Sequence, residues 1–267
     1  MILTACDSAY LDEAACLIRS CARYVPEQKF YLFLVNGENI TDETFRSWHP
    51  QIMVDRVLWN FEPQRWHGLM CAARSGPIEK ALHQYHEKLL YIDSDCLVRA
   101  PLNEVFQALD HCDLMVKYRP QMEQLGAAGT YFASKFNSGV VAIRPSDPGL
   151  RFAHNYHQAI QEFITSGKPL ELPLEEEKII SVFDQELLYA TYLQLKEDLT
   201  FTPLPDKFND SKFNPGSAIW HGKGTARTHP LYRLERAHYQ HQRLSPIFTV
   251  FSSILFAARA TKRKIIP

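Results

Sequence analysis

The chain has 267 residues, 46% hydrophobic and 22% charged, with a formal net charge of −1. That balance suits one large globular domain and excludes a globally basic surface for nucleic acid. No run of 18 apolar residues occurs, so no transmembrane helix is expected.

Residues 1–6 form a short apolar run that ends at Asp7-Ser8. Leu3-Thr4-Ala5-Cys6 imitates a lipoprotein cleavage site, but no charged or apolar leader fits in front of it. Residues 10–24 carry apolar side chains at helical spacing. Residues 30–35 are a continuous apolar strand closed by the Asn36-Gly37 turn, and Thr41-Asp42 opens a short helix. A strand over 52–58, a helix over 74–86 and a strand over 88–92 follow. Further on, 113–116 and 136–143 read as strands, and 150–164 and 184–195 as helices. Residues 168–177 and 203–216 read as loops, and 218–221 as a short strand. Strands that alternate with helices, and are apolar throughout, fit a mostly parallel sheet covered on both faces. Ligands in such sheets bind at the carboxyl ends of strands, where Asp7 and Asp93 both fall. No linker divides the chain before about residue 235, which gives a catalytic unit over 1–235 and a helical, basic tail over 236–267. The six cysteines form no C-x-x-C and read as reduced core thiols of a cytosolic protein.

Four motifs carry chemistry. Leu89–Ile92 runs straight into Asp93-Ser94-Asp95. Carboxylates at i and i+2, where a strand opens into a loop, can both reach one divalent ion, and hard oxygen donors suit Mg or Mn. The plainer reading is an exposed strand end with turn-forming aspartates. Phe136-Asn137-Ser138-Gly139 opens an apolar strand, either as an ordinary turn or with Gly139 marking close approach by a ligand. Asp184-Gln185 starts a helix, with Asp184 either an N-cap or a group at the mouth of a crevice. Trp220-His221-Gly222-Lys223-Gly224 delivers an imidazole, two glycines and a cation. That run can serve a metal and a phosphate, or simply be a Gly-rich turn.

Taken in order, these motifs resemble glycosyltransferase family 8, over roughly residues 1–230. The resemblance implies an α/β GT-A fold, with a Rossmann-like, mostly parallel sheet. It implies a retaining transferase that moves a hexose, glucose or galactose, from a UDP-sugar to a glycan or lipid-linked acceptor such as lipopolysaccharide. By the same resemblance Asp93, Asp95 and His221 would hold Mn2+ (or Mg2+). Ala5, Asp7, Tyr10, Arg74 and Ser94 would serve the nucleotide. Asn137, Ser138, Gly222, Lys223 and Gly224 would serve the donor sugar and phosphates, and Asp184 and Gln185 would flank the reacting carbon. The closing motif departs from the family's H-x-x-G-x-x-K: the lysine is Lys223, and Arg227 stands where the family has lysine. Either could be the phosphate cation. The basic residue on the helix before the D-x-D strand is Arg74 or Lys80, and Arg74, nearer the helix start, is favoured.

Residues 247–258 place apolar side chains on one helical face ahead of Arg259, Lys262, Arg263 and Lys264. Such a segment suits an anionic membrane surface, or it packs on the catalytic unit. The expected location is therefore cytoplasmic, peripheral on the inner face of the plasma membrane. Two alternatives remain at this stage: a haloacid-dehalogenase-like phosphatase using Asp93 and Asp95, and a non-catalytic nucleotide-sugar-binding protein.

Overall fold

The computed structural model describes residues 1–37, 39–59, 73–120, 135–166 and 184–240. Among them the chain alternates strand and helix: β1 (Ile2–Asp7), α1 (Leu11–Tyr24), β2 (Phe30–Val35), α2 (Asp42–Arg46), β3 (Ile52–Val57), α3 (Ser75–Tyr85) and β4 (Leu89–Ile92). There follow β5 (Cys96–Val98), α4 (Asn103–Ala108), β6 (Leu114–Tyr118), β7 (Phe136–Ile143), α5 (Asp147–Ser166), α6 (Asp184–Leu195), β8 (Phe201–Pro203), β9 (Ile219–His221) and α7 (Pro230–Gln240).

The described strands form a seven-stranded sheet in the order β3-β2-β1-β4-β7-β6-β8 and a small β5-β9 ribbon. β3, β2, β1 and β4 are mutually parallel, while β7 runs against both β4 and β6. The main strands read as unbroken apolar runs because each face is covered. Ile2 and Cys6 of β1, with Leu90 and Ile92 of β4, join a cluster with Leu17 and Ile18 of α1. Their neighbours Leu3, Leu89 and Tyr91 join a second cluster with Leu82 of α3, Phe152 of α5 and Leu187 of α6. The two-residue period of a strand thus feeds both layers. At the sheet margin β3 is half-buried and carries Asp55 and Arg56, which suits an edge.

The 203–216 stretch expected as a loop begins at the end of β8 and includes a 3-10 turn, Asp206–Phe208. Helix α7 runs across residue 235, the expected boundary, and Arg236 reaches back to Glu13 of α1 at 3.1 Å. Residues 168–177, Cys71 and the apolar-basic tail lie outside the described residues. Among the described residues no helix is long and apolar enough to cross a membrane.

Candidate active site

Two topological facts bring the motifs together. β7 is antiparallel to β4, so its Phe136-Asn-Ser-Gly start lies beside the end of β4, and Asp93 N donates to Gly139 O at 2.8 Å. β9 pairs antiparallel with β5, with Cys96 opposite His221. The ribbon therefore folds the imidazole back onto Asp95. Both pairings depend on partners far away in sequence.

Each aspartate uses its two oxygens differently. Asp93 Oδ1 pairs with Arg74 Nη1 at 3.0 Å and accepts from the Tyr91 hydroxyl at 2.9 Å. Asp95 Oδ2 accepts from Arg227 Nη2 at 2.8 Å and Nε at 3.2 Å. The remaining oxygens face His221, whose Nε2 lies 3.7 Å from Asp93 Oδ2 and 3.4 Å from Asp95 Oδ1. Burial pushes the Asp93 carboxyl upward, against Arg74, and the Asp95 charge adds to the rise. Burial also opposes ionisation of Asp95, but hydrogen bonding and charge from His221 and Arg227 win and hold that carboxyl well below the usual range.

His221 Nε2 lies between one oxygen of each aspartate, and two carboxylates with an imidazole are a donor set whose chemistry suits a hard or borderline divalent ion. Asp93 nonetheless stands outside the tighter group of Asp95, Cys96 and His221, whose ligand atoms lie within 4.8 Å of one another. Cys96 packs in the hydrophobic core, and burial drives its thiol strongly upward, so it stays protonated and is a poor ligand for such an ion.

Arg74 ties three motifs to one point. It precedes α3, is buried, donates through Nη1 to Ser138 O at 2.8 Å and Ser138 Oγ at 3.0 Å, and forms an ion pair with Asp93. Its Nε lies 3.3 Å from Asp184 Oδ2, and its guanidinium sits 5.0 Å from the Tyr91 ring centroid. The Arg74–Asp184 approach is an ion pair without hydrogen-bond alignment, which leaves Asp184 Oδ2 buried with unused accepting capacity among the described residues. Lys80, the other basic residue considered, pairs instead with Asp55 on the edge strand. Gln185 lies beside Asp184 at the start of α6, and its Oε1 accepts from Arg119 Nη2 at 3.2 Å. Sequence reasoning missed Arg119, whose place in β6's wake carries no motif.

The two candidate phosphate cations differ in surroundings. Arg227 is committed to Asp95 and Gly222 O, over the Tyr10 ring at 5.1 Å. Burial and then Arg119 pull the Lys223 ammonium downward, with Asp93 and Asp184 opposing. Asp7, at the end of β1, is buried and accepts from Tyr10 N at 3.0 Å, so it caps the turn between β1 and α1. Ala5 packs in the core and Ser94 is half-buried in the turn after β4.

The glycines have reasons the sequence did not show. A Cβ on Gly139 would lie 2.1 Å from His221 Cε1 and 2.6 Å from Nδ1. The close approach expected there is made by the protein's own histidine. A Cβ on Gly222 would strike the Tyr232 ring at 2.4 Å, and its N–H already donates to Asp95 O at 2.9 Å. That N–H is therefore already engaged within the protein. Gly224 sits at φ +55 with open space around it, a conformation glycine adopts without strain.

Asn137 is also more committed than expected. Its Oδ1 accepts from Gly139 N at 3.0 Å and from Asn209 Nδ2 at 2.9 Å, and Asn209 Oδ1 lies 2.9 Å from His221 Nδ1. Next in sequence, the buried Asp210 carboxylate accepts from Lys212 N (2.7 Å), Asn214 N (2.6 Å), Asn214 Nδ2 (3.0 Å) and Ser217 Oγ (2.7 Å). Its carbonyl receives His221 N at 2.9 Å. Asp210→Ala should cost about 3 kcal/mol in urea unfolding, the scale for stripping a buried charged acceptor from its donors. A loss under about 1 kcal/mol would mean that backbone bonds alone hold this loop.

No protein-family model and no curated protein matches the chain. Solved structures do. The galactosyltransferase LgtC, in complex with donor and acceptor sugar analogues, matches at 18% identity and TM-score 0.52, over 87% of this chain and 81% of that one. A glutamine-to-glutamate active-site mutant of LgtC matches at 16% identity and TM-score 0.55, over 84% and 87%. The fold is that of the GT-A glycosyltransferases. The glycosyltransferase GlyE of Streptococcus pneumoniae TIGR4 shares it at 19% identity and TM-score 0.55. That match covers 97% of this chain but only 63% of GlyE, so the chain spans less than two thirds of that relative. At these identities the likeness is one of GT-A fold. It agrees with the family 8 resemblance of the motifs and gives the phosphatase alternative no support.

Proposed function

We propose that this protein is a metal-dependent, retaining glycosyltransferase that moves a hexose from a UDP-sugar to a glycan or lipid-linked acceptor. The observation that carries the reading is the pair Asp93–Asp95. Each carboxylate is held by an arginine through one oxygen and faces His221 Nε2 with the other. Asp93, Asp95 and His221 would hold Mn2+ or Mg2+, which supplies charge for the diphosphate leaving group when bound. Arg227 and Lys223 add fixed cations on the same side of the reaction, where negative charge develops. Either would be the cation in direct phosphate contact, and Arg227 is held in place for it by Asp95.

Ala5, Asp7, Tyr10 and Ser94 surround the end of β1 and the turn after β4, and would receive the nucleotide. Arg74 acts in this reading by holding Asp93, Ser138 and Asp184 in place. The accepting capacity left on Asp184 Oδ2 suits a sugar hydroxyl. In LgtC an active-site glutamine was the residue mutated, and Gln185 is the corresponding candidate here, its amide oxygen oriented by Arg119. With no carboxylate assigned as nucleophile, the acceptor hydroxyl attacks on the face of the departing diphosphate and gives its proton to it. Isolation of a covalent glycosyl-enzyme would overturn that step. The basic tail would bring the enzyme to an anionic cytoplasmic membrane face, where lipopolysaccharide-type acceptors are built.

The test is the melting temperature with UDP, with Mn2+ and with both. Ligand at a hundredfold over Kd stabilises the native state by about 2.7 kcal/mol. A large upward shift that requires both ligands and disappears in Asp95→Ala supports the reading. No shift with UDP or any other nucleoside diphosphate removes it.

A further inference from the structure

The hydrogen bonds around His221 can be assigned one after another from a single unambiguous donor. Gly139 N is a backbone amide and can only donate, so the Asn137 atom 3.0 Å away is the carbonyl oxygen. The Asn209 atom 2.9 Å from that same oxygen must then be the amide nitrogen. This leaves the Asn209 oxygen facing His221 Nδ1 at 2.9 Å, so Nδ1 is the nitrogen that carries the proton. In the neutral ring Nε2 is then an unprotonated lone pair, and it is Nε2 that faces the open oxygens of Asp93 and Asp95. All three residues in the relay are buried, with Asn209 2% exposed, so bulk water does not compete for these bonds.

We propose that Asn209 is a positioning residue: through the relay Gly139–Asn137–Asn209 it locks the His221 ring in the Nδ1–H form and aims Nε2 as a ligand for a divalent cation. Its value for binding rests on the metal reading above; its hold on the ring does not. A ring left free to rotate or to move its proton to Nε2 would point an N–H at the ion's position. Partners of this kind, on the far nitrogen of a ligating histidine, are typically worth roughly 10–100-fold in metal affinity.

The experiment uses the full chain, metal-free and labelled with 15N-histidine, at a pH raised until the ring is neutral, with the His221 signals assigned by their loss in His221→Ala. Wild type should show a protonated Nδ1 and an unprotonated Nε2. Asn209→Leu, similar in size but without an acceptor, should shift the ring toward Nε2–H. Its Mn2+ dissociation constant, read from the free-ion electron paramagnetic resonance signal, should rise roughly 10–100-fold. Asn209→Asp keeps an acceptor toward Nδ1 but loses the donor to Asn137, so it should retain the wild-type tautomer and recover part of the affinity lost in Asn209→Leu. A neutral wild-type ring whose single proton sits on Nε2 overturns the proposal, and needs no variant that folds. So does an Asn209→Leu ring that keeps its Nδ1 proton. If the tautomer follows residue 209 while wild type binds no Mn2+, the positioning role stands and the metal reading fails.

Discussion

Arg74→Met is expected to destabilise the protein by about 3–5 kcal/mol, the range for removing one partner of a buried ion pair. Arg74 and Asp184 are both buried, with side chains 7% and 4% exposed, and Asp93 is mostly covered at 21%. Methionine would fill much of the volume but would leave two carboxylates facing each other without a cation, and Ser138 O without its donor. The resulting strain should also move Asp93 away from His221, which it approaches at 3.7 Å, so transfer activity should fall with stability. Urea unfolding measures the first effect. A double-mutant cycle with Asp184→Asn gives its cause: once the carboxylate is neutral, losing Arg74 should cost markedly less. If the two substitutions simply add, the Arg74–Asp184 approach contributes little and the arginine acts through Ser138 and Asp93.

The second large effect is at Gly139. Gly139→Ala would place a methyl 2.1 Å from His221 Cε1, a distance that requires the ring or the β7 backbone to move. β7 is buried along its whole length, and Gly139 O anchors Asp93 N, so the backbone has little room to yield. The imidazole should therefore be displaced. Mn2+ binding should be lost in calorimetry, and stability should fall by about 1–3 kcal/mol from overpacking. Combining Gly139→Ala with His221→Ala removes the clashing ring and should return most of that stability. If the double variant is no more stable than Gly139→Ala alone, the glycine is required for the strand and not for the histidine.

These two positions mark the boundary of what the sequence carries. Phe30–Val35 and Phe136–Ile143 announce themselves as strands because a strand covered on both faces needs an apolar residue at every step. α1 is legible from helical spacing, and α6 from Asp184 at a helix start. The order D-x-D, F-N-S-G, D-Q, H-G-K-G was enough to anticipate a GT-A fold, and the structure brings all four motifs to one place. β5 and β8, three residues each, escape sequence reading because so short a run shows no period, whereas the equally short β9 is legible from the apolar run that leads into H-G-K-G.

Composition, periodicity and motif order thus determine the fold class and the residues that carry chemistry. Tertiary structure alone decides how those residues are paired. A side chain's identity sets which bonds it can make, while the partner it meets depends on strands and loops many residues away. Asn209 looks like any loop asparagine until β9 pairs with β5 and swings His221 against it. Gly222 shows its need to be glycine only once Tyr232 packs where a Cβ would stand. The reversal of β7 against β4 places Ser138 under Arg74 and Gly139 under the imidazole. Hydrogen bonding and steric exclusion act over about 3 Å in space whatever the separation along the chain, so they become visible only once the chain has closed.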